Sequence, residues 1–230
     1  MVTEALSHLI QRIRTTPVQT NPYFHFHTEL CFPEEFYQDL IDNIPDTSYF
    51  SSLEDYPQRF ILDLVAEKLN QLPFTNLLFW QQFTSAVCGE RFARSLLEKF
   101  QSPLKEQFGD DFQKKKLGTT ASIIRDQSGY SIGPHTDHPN KIISLLFYLP
   151  ISSDQRHLGT SIYLPKDRTF KCKGREHHSF KDFDKVSTAP FIPNSIFCFL
   201  RSDVSFHGVE PVCEKEKERV LLCYNIWEEP

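Results

Sequence analysis

Apolar positions in the first hundred residues recur at three- and four-residue intervals, whereas later ones alternate or run together. Leu6, Leu9, Ile10 and Ile13 make one stripe of a helix that Thr3 can cap and that ends before Pro17. Pro33 with Glu34 and Glu35 opens a second helix, burying Phe36, Leu40 and Ile44. Residues 58–72 carry Phe60, Ile61, Leu64, Val65 and Leu69 at helical spacing, and 90–101 repeat the pattern through Phe92, Leu96, Leu97 and Phe100. His25 and His27, alternating with Phe24 and Phe26, predict a strand with one polar and one apolar face.

The pattern changes near residue 118. Six of the eight glycines lie at or beyond Gly118, as expected where helices give way to strands and turns. Residues 119–135 read as a strand, a Gly-containing turn and a second strand; Ile142–Pro150 is a buried strand closed by proline. Arg219 opens a further core strand through Trp227. The expected fold class is α+β with a mainly β core: a helical region over 1–118 supports strands over 119–228 in one compact unit. The helices should buttress the apolar outer face of the sheet.

Candidate chemistry starts at His135-Thr136-Asp137, with His207 far downstream. Residues i and i+2 of an extended segment point to the same side, so the His135 ring and the Asp137 carboxylate can meet one ion. His207 sits in an apolar stretch beside Gly208, where a neighbouring backbone can approach closely. Two imidazoles and one carboxylate can cap one face of an Fe(II) octahedron and leave the others open. An HxD pair alone is common, and a lone histidine among apolar residues is more often a core residue than a ligand. The order and context of the three give the pattern its weight.

The series GYSIGPHTD, LLFYLP, LGTSIYLP, SFHGVEPV and RVLLCYNIW resembles the Fe(II)/2-oxoglutarate-dependent oxygenases, in their prolyl-hydroxylase-like branch, over about half of the chain, from Thr119 to Trp227. The resemblance implies a double-stranded β-helix, or jelly roll, with the N-terminal helices packed against it. It implies that His135, Asp137 and His207 are the catalytic metal ligands and that Arg219 pairs with the far carboxylate of 2-oxoglutarate. The cofactors would be Fe(II), 2-oxoglutarate and O2, with ascorbate as a candidate reductant. Lys215 and Lys217 are weaker candidates for the anchor. Arg125, ten residues before His135, stays on the metal side if the strand is regular and is a candidate second anchor, whereas odd spacing makes Tyr130 a packing residue. Related halogenases lack the carboxylate, so Asp137 favours hydroxylation or desaturation.

The remaining features limit the reading. His138 precedes Pro139 in a turn, and His177-His178 stands in a polar loop. No paired Cys or His spacing of a closed zinc site is visible. Six scattered cysteines without CxxC, no signal peptide and no apolar run of membrane length point to a cytoplasmic protein. At 40% hydrophobic with 21 Phe, 230 residues can bury a large core, and a net charge of −5 argues against a nucleic-acid partner. The mixed run Glu214–Glu218 reads as a solvated hairpin. Between Leu164 and Ile192 lies an insertion with Lys166, Arg168, Lys171, Lys173 and Arg175, a solvated loop or else a lid that takes an acidic or phosphorylated small molecule or peptide. The rival readings are a cupin-like metal enzyme without 2-oxoglutarate and a non-catalytic metal-binding interaction protein.

Overall fold

The computed structural model describes residues 1–174, 176–213 and 218–229. Six helices precede most of the strands: α1 (Val2–Thr15), α2 (Glu34–Asp42), α3 (Ala66–Leu69), α4 (Phe74–Val87), α5 (Glu90–Lys99) and α6 (Gln101–Phe108). The strands are β1 (His25–Glu29), β2 (Ser51–Ser52), β3 (Arg59–Asp63), β4 (Leu117–Gln127), β5 (Ile132–His135) and β6 (Lys141–Tyr148). They continue as β7 (Ser161–Pro165), β8 (Phe183–Thr188), β9 (Ser195–Leu200), β10 (His207–Val209) and β11 (Glu218–Glu228). All pairings are antiparallel, in a seven-stranded sheet ordered β1-β9-β6-β11-β4-β3-β2 and a four-stranded sheet ordered β5-β10-β7-β8. The first 118 residues thus lend three strands to the larger sheet.

Alternation along the strands sorts side chains between two apolar layers. One face of the large sheet, with Ile123, Leu145, Phe147, Cys198, Leu222 and Tyr224, packs under helix residues Leu9, Ile13, Trp80, Phe83, Phe92 and Leu96. The other face, with Ile124, Tyr148, Phe197, Phe199 and Leu221, meets Ile162 and Val209 of the small sheet. The helices therefore buttress the outer face, as the stripes of α1 and α5 require. The functional groups lie between the sheets.

Local expectations fare unevenly. Helix α1 starts at Val2, so Thr3 lies in its first turn instead of capping it. The helix expected over 58–72 is replaced by strand β3 and the single turn α3. Its apolar positions also satisfy period two: Leu62 and Leu64 join the helix-side core while Ile61 faces the other layer, and hydrogen bonding to β4 settles the choice. Helix α4 escaped the pattern because it is apolar nearly all round, with Trp80 and Phe83 buried and Phe74 and Leu78 exposed. The insertion after Leu164 contains β8, which pairs with β7, so it is an extended hairpin with a loop at its tip. Arg175, Lys215 and Lys217, and all of the 214–218 run except Glu218, lie outside the described residues. Among the described residues no helix is long and apolar enough to cross a membrane.

Candidate metal centre

Strands β5 and β10 place His135 directly opposite His207, and the ring centroids are 4.3 Å apart. Asp137 follows just beyond β5, its Oδ1 4.0 Å from His207 Nε2. One donor atom from each of the three lies within 4.8 Å of the others. Nδ1 of His135 is 3.0 Å from Gly133 O and Nδ1 of His207 is 3.0 Å from Ser205 O. With Nδ1–H donated to these carbonyls, Nε2 is left as the lone-pair donor of each ring, the usual way a backbone acceptor sets the tautomer of a metal-ligating histidine.

The charge states suit a cation. Burial holds His135 and His207 below the ordinary imidazole value, so both rings are neutral near pH 7. Burial alone would raise the Asp137 carboxyl, but Lys141, the two imidazoles and a hydrogen bond from Ser144 hold it well below its usual range. Ser144 Oγ donates to Oδ2 at 2.6 Å and Lys141 Nζ to Oδ1 at 3.0 Å. An ammonium thus already stands beside the oxygen that faces His207. This donor set, two neutral imidazoles and an ionised carboxylate, fits a divalent transition metal.

The triad opens on a cavity of about 100 Å³. Its walls include Ile124, Leu146, Val209 and Leu221, and it also touches Arg59 and Arg219. Arg219 is 1% exposed. Its Nε donates to Leu158 O at 2.6 Å, one terminal nitrogen to Asp126 Oδ2 at 2.8 Å and the other to Thr160 Oγ1 at 3.4 Å. Arg59 grips the same carboxylate through two nitrogens, at 2.6 and 2.9 Å. Burial alone would lower the Arg59 pKa; the Asp126 charge overcomes it and raises it. Two guanidiniums and one carboxylate carry a net single positive charge, so Arg219 is part of a shared cationic cluster.

Arg125 lies elsewhere. It forms a two-pronged pair with Glu218 at 2.8 and 2.9 Å, donates to Pro45 O and covers the Phe50 ring. It is absent from the cavity lining. The cause is the left-handed turn at Gly129, φ 85°, between β4 and β5. Counting residues back from His135 across that turn slips the register. Ile124 faces the cavity, Asp126 shares its side of β4 beneath the two guanidiniums, and Arg125 faces away. Tyr130 is buried beneath Arg59, whose guanidinium carbon is 4.2 Å from the ring centroid.

Five contributors were not anticipated: Arg59, Asp126, Lys141, Ser144 and His177. Arg59 and Asp126 become visible only once strand pairing is known, Arg59 through the pairing of β3 with β4 and Asp126 as the cross-strand partner of Arg219. His177 lies with its ring 4.7 Å from that of His135, and Tyr56 hydrogen-bonds its Nδ1. Its segment runs along β5, where His178 N donates to Pro134 O at 2.9 Å. A Cβ on Gly133 would sit 2.2 Å from His178 O. Gly133→Ala is therefore expected to cost roughly 1–3 kcal/mol and to speed amide exchange over residues 176–179. Unchanged urea midpoint and exchange would remove this close approach from the account.

Acid should destabilise the metal-free protein. His25, His27, His135, His177 and His207 all lie below their ordinary value, with burial the leading cause in each. Between the folded and unfolded values the unfolded chain binds more protons, so stability falls as pH drops below about 6.5. The nearly buried His135 and His207 should each contribute up to about 1.4 kcal/mol per pH unit there. Urea unfolding at pH 7.5 and 5.5 checks this; equal stabilities would refute it.

No protein-family model matches the sequence, and no curated protein does. Solved structures match over most of the chain. A prolyl-4-hydroxylase from Pseudomonas putida has a TM-score of 0.56 at 12% identity, covering 98% of this chain and all of the other. An oxidoreductase of the 2OG-Fe(II) oxygenase family from Burkholderia pseudomallei gives 0.53 at 13%, covering 97% and 90%. The epimerase SnoN, solved with Fe3+, α-ketoglutarate and nogalamycin RO, gives 0.52 at 10%, covering 97% and 84%. The chain has the fold of several Fe(II)/2-oxoglutarate oxygenases. A hydroxylase and an epimerase match about equally, so the likeness singles out no branch.

Proposed function

We propose that this protein is a non-heme Fe(II)/2-oxoglutarate-dependent dioxygenase built on a double-stranded β-helix, hydroxylating a small-molecule or peptidyl substrate. The observation that carries this reading is the convergence of His135, Asp137 and His207, with both Nδ1 atoms tied to carbonyls, on a cavity that Arg59 and Arg219, the two cations paired with Asp126, also line. The three would hold the iron. When bound, iron and 2-oxoglutarate supply O2 activation, coupled to decarboxylation to succinate and CO2. The protein supplies neutral imidazoles, an ionised carboxylate, a cationic cluster for a dianion, and apolar walls that exclude water. His177 and Tyr56 border the metal side. The prolyl-hydroxylase-like branch rests on the sequence resemblance alone. A cytoplasmic location is supported by six free cysteines.

A metal enzyme that does not use 2-oxoglutarate is favoured by one observation: the Arg219 guanidinium is already engaged by Asp126, Leu158 and Thr160. Titrating 2-oxoglutarate into anaerobic Fe(II)-loaded protein separates the two. A visible metal-to-ligand charge-transfer band supports the dioxygenase; tight iron binding without a band supports the rival.

A further inference from the structure

Among the described residues, one more group of ligating side chains comes together outside this centre. Cys172, Glu176 and His178 each offer a donor within 4.8 Å of the others. Cys172 is buried, Glu176 is exposed, and His178 packs among Phe170, Phe183 and Phe206. We propose that these three residues form a second metal site, for Zn2+ or another thiolate-preferring divalent cation, which closes the loop between β7 and β8 on itself where it runs alongside β5.

Three observations support a site over a chance cluster. First, Gly174 N lies 3.4 Å from Cys172 Sγ and donates to it, an outer contact of the kind that orients a metal-bound thiolate. Second, His178 Nε2 is buried with no hydrogen-bond partner, an unmet polar group on a ring whose surroundings are otherwise aromatic. Third, the loop is built to hold this course. Gly174 has φ 107°, and a Cβ there would lie 2.3 Å from Asp137 O. Thr136 Oγ1 donates to Cys172 O at 2.9 Å, and Arg201 donates to Lys173 O and Asp137 O at 2.7 and 3.3 Å.

The donor types choose the ion. Thiolate with imidazole favours zinc over magnesium or calcium, and tetrahedral bonds of about 2.0–2.3 Å set donors some 3.5 Å apart. Donors that all lie within 4.8 Å of one another need only small side-chain adjustments to reach that spacing, and the exposed Glu176 is the freest of the three to make them. Three protein ligands leave the fourth position to water. His177, between two of the ligands, would then be held with its ring against His135, so the second ion would position one wall of the first site.

The test uses the full-length, chelator-treated protein and Co2+, kept anaerobic to protect the thiol. Only a site containing cysteine gives a thiolate-to-cobalt charge-transfer band in the near ultraviolet, and the triad contains none. The expected result is one cobalt equivalent beyond the triad's, with a thiolate band lost in Cys172→Ser, weakened in His178→Ala and retained in His207→Ala. Absence of the band from the wild-type protein, or its persistence in Cys172→Ser, would overturn the proposal. If Cys172→Ser fails to fold, Glu176→Gln and His178→Ala decide: a thiolate band altered in either supports the site, a band unchanged in both sinks it. A thiolate band with no Fe(II)–2-oxoglutarate band would refute the proposed function alone, and the converse this site alone.

Discussion

His207→Ala is expected to abolish the visible band that 2-oxoglutarate raises in Fe(II)-loaded protein, together with succinate release. The variant should stay folded, because β10 pairs with β5 and β7 through its backbone. Outer-sphere changes around a metal typically cost 10–100-fold in affinity, so losing one of three protein ligands should cost more than about 100-fold. The loss should be specific to the metal: near pH 7 the ring is neutral, and it touches His135 and Phe199 at centroid distances of 4.3 and 4.4 Å. Asp137→Ala should lose the metal as well but behave differently without it. It strips the carboxylate from Lys141, whose side chain is 16% exposed, leaving a nearly buried ammonium without its ion pair, which is strongly destabilising. The two variants thus separate ligation from charge balance. Wild-type turnover in His207→Ala would end the iron assignment.

The three residues that converge on the cavity were legible because their signal is local. An HxD pair needs only the two-residue period of an extended segment, and His207 announced itself through the apolar strand and the adjacent glycine. A Cβ on Gly208 would sit 2.7 Å from Ile132 O, which is why the strand that delivers His207 carries glycine there. The far end of the cavity was less legible because it depends on register. Arg125 looked inward only when counted across the Gly129 turn; the antiparallel pairing of Arg219 with Asp126 is the safer ruler, since directly opposite residues share a face. Arg59 was hidden by an apolar run that fits a helix as well as a strand, and only pairing with β4 distinguishes them. His177 left no trace in the sequence, because the path of a loop along β5 is set by tertiary contacts. The two-layer division was implicit in β6, where Ser144, Leu146 and Tyr148 alternate with Ile143, Leu145 and Phe147, yet an unbroken apolar run conceals which face is which.

Arg219→Ala should unfold the protein more readily as well as weaken co-substrate binding, and the two effects can be told apart. Removing a guanidinium that is 1% exposed leaves Asp126, fully buried, with Arg59 alone, and breaking one partner of a buried ion pair costs about 3–5 kcal/mol. Leu158 O also loses its donor at 2.6 Å, which adds a desolvation cost. A higher 2-oxoglutarate requirement in that variant would therefore be ambiguous. Arg59→Ala is the cleaner test. Its side chain is 17% exposed, and Asp126 keeps Arg219, so the loss of stability should be smaller. The cluster meanwhile falls from a net single positive charge to neutrality, which removes the attraction for a dianion. The half-saturating 2-oxoglutarate concentration should rise about tenfold or more, each tenfold corresponding to about 1.4 kcal/mol, with kcat changed less. Asp126→Asn runs the opposite way: it leaves two adjacent guanidiniums, so it should destabilise the protein and tighten co-substrate binding. Co-substrate requirements that stay flat in both Arg59→Ala and Asp126→Asn would detach the cluster from 2-oxoglutarate and leave it the role of a buried structural pair joining β3, β4 and β11.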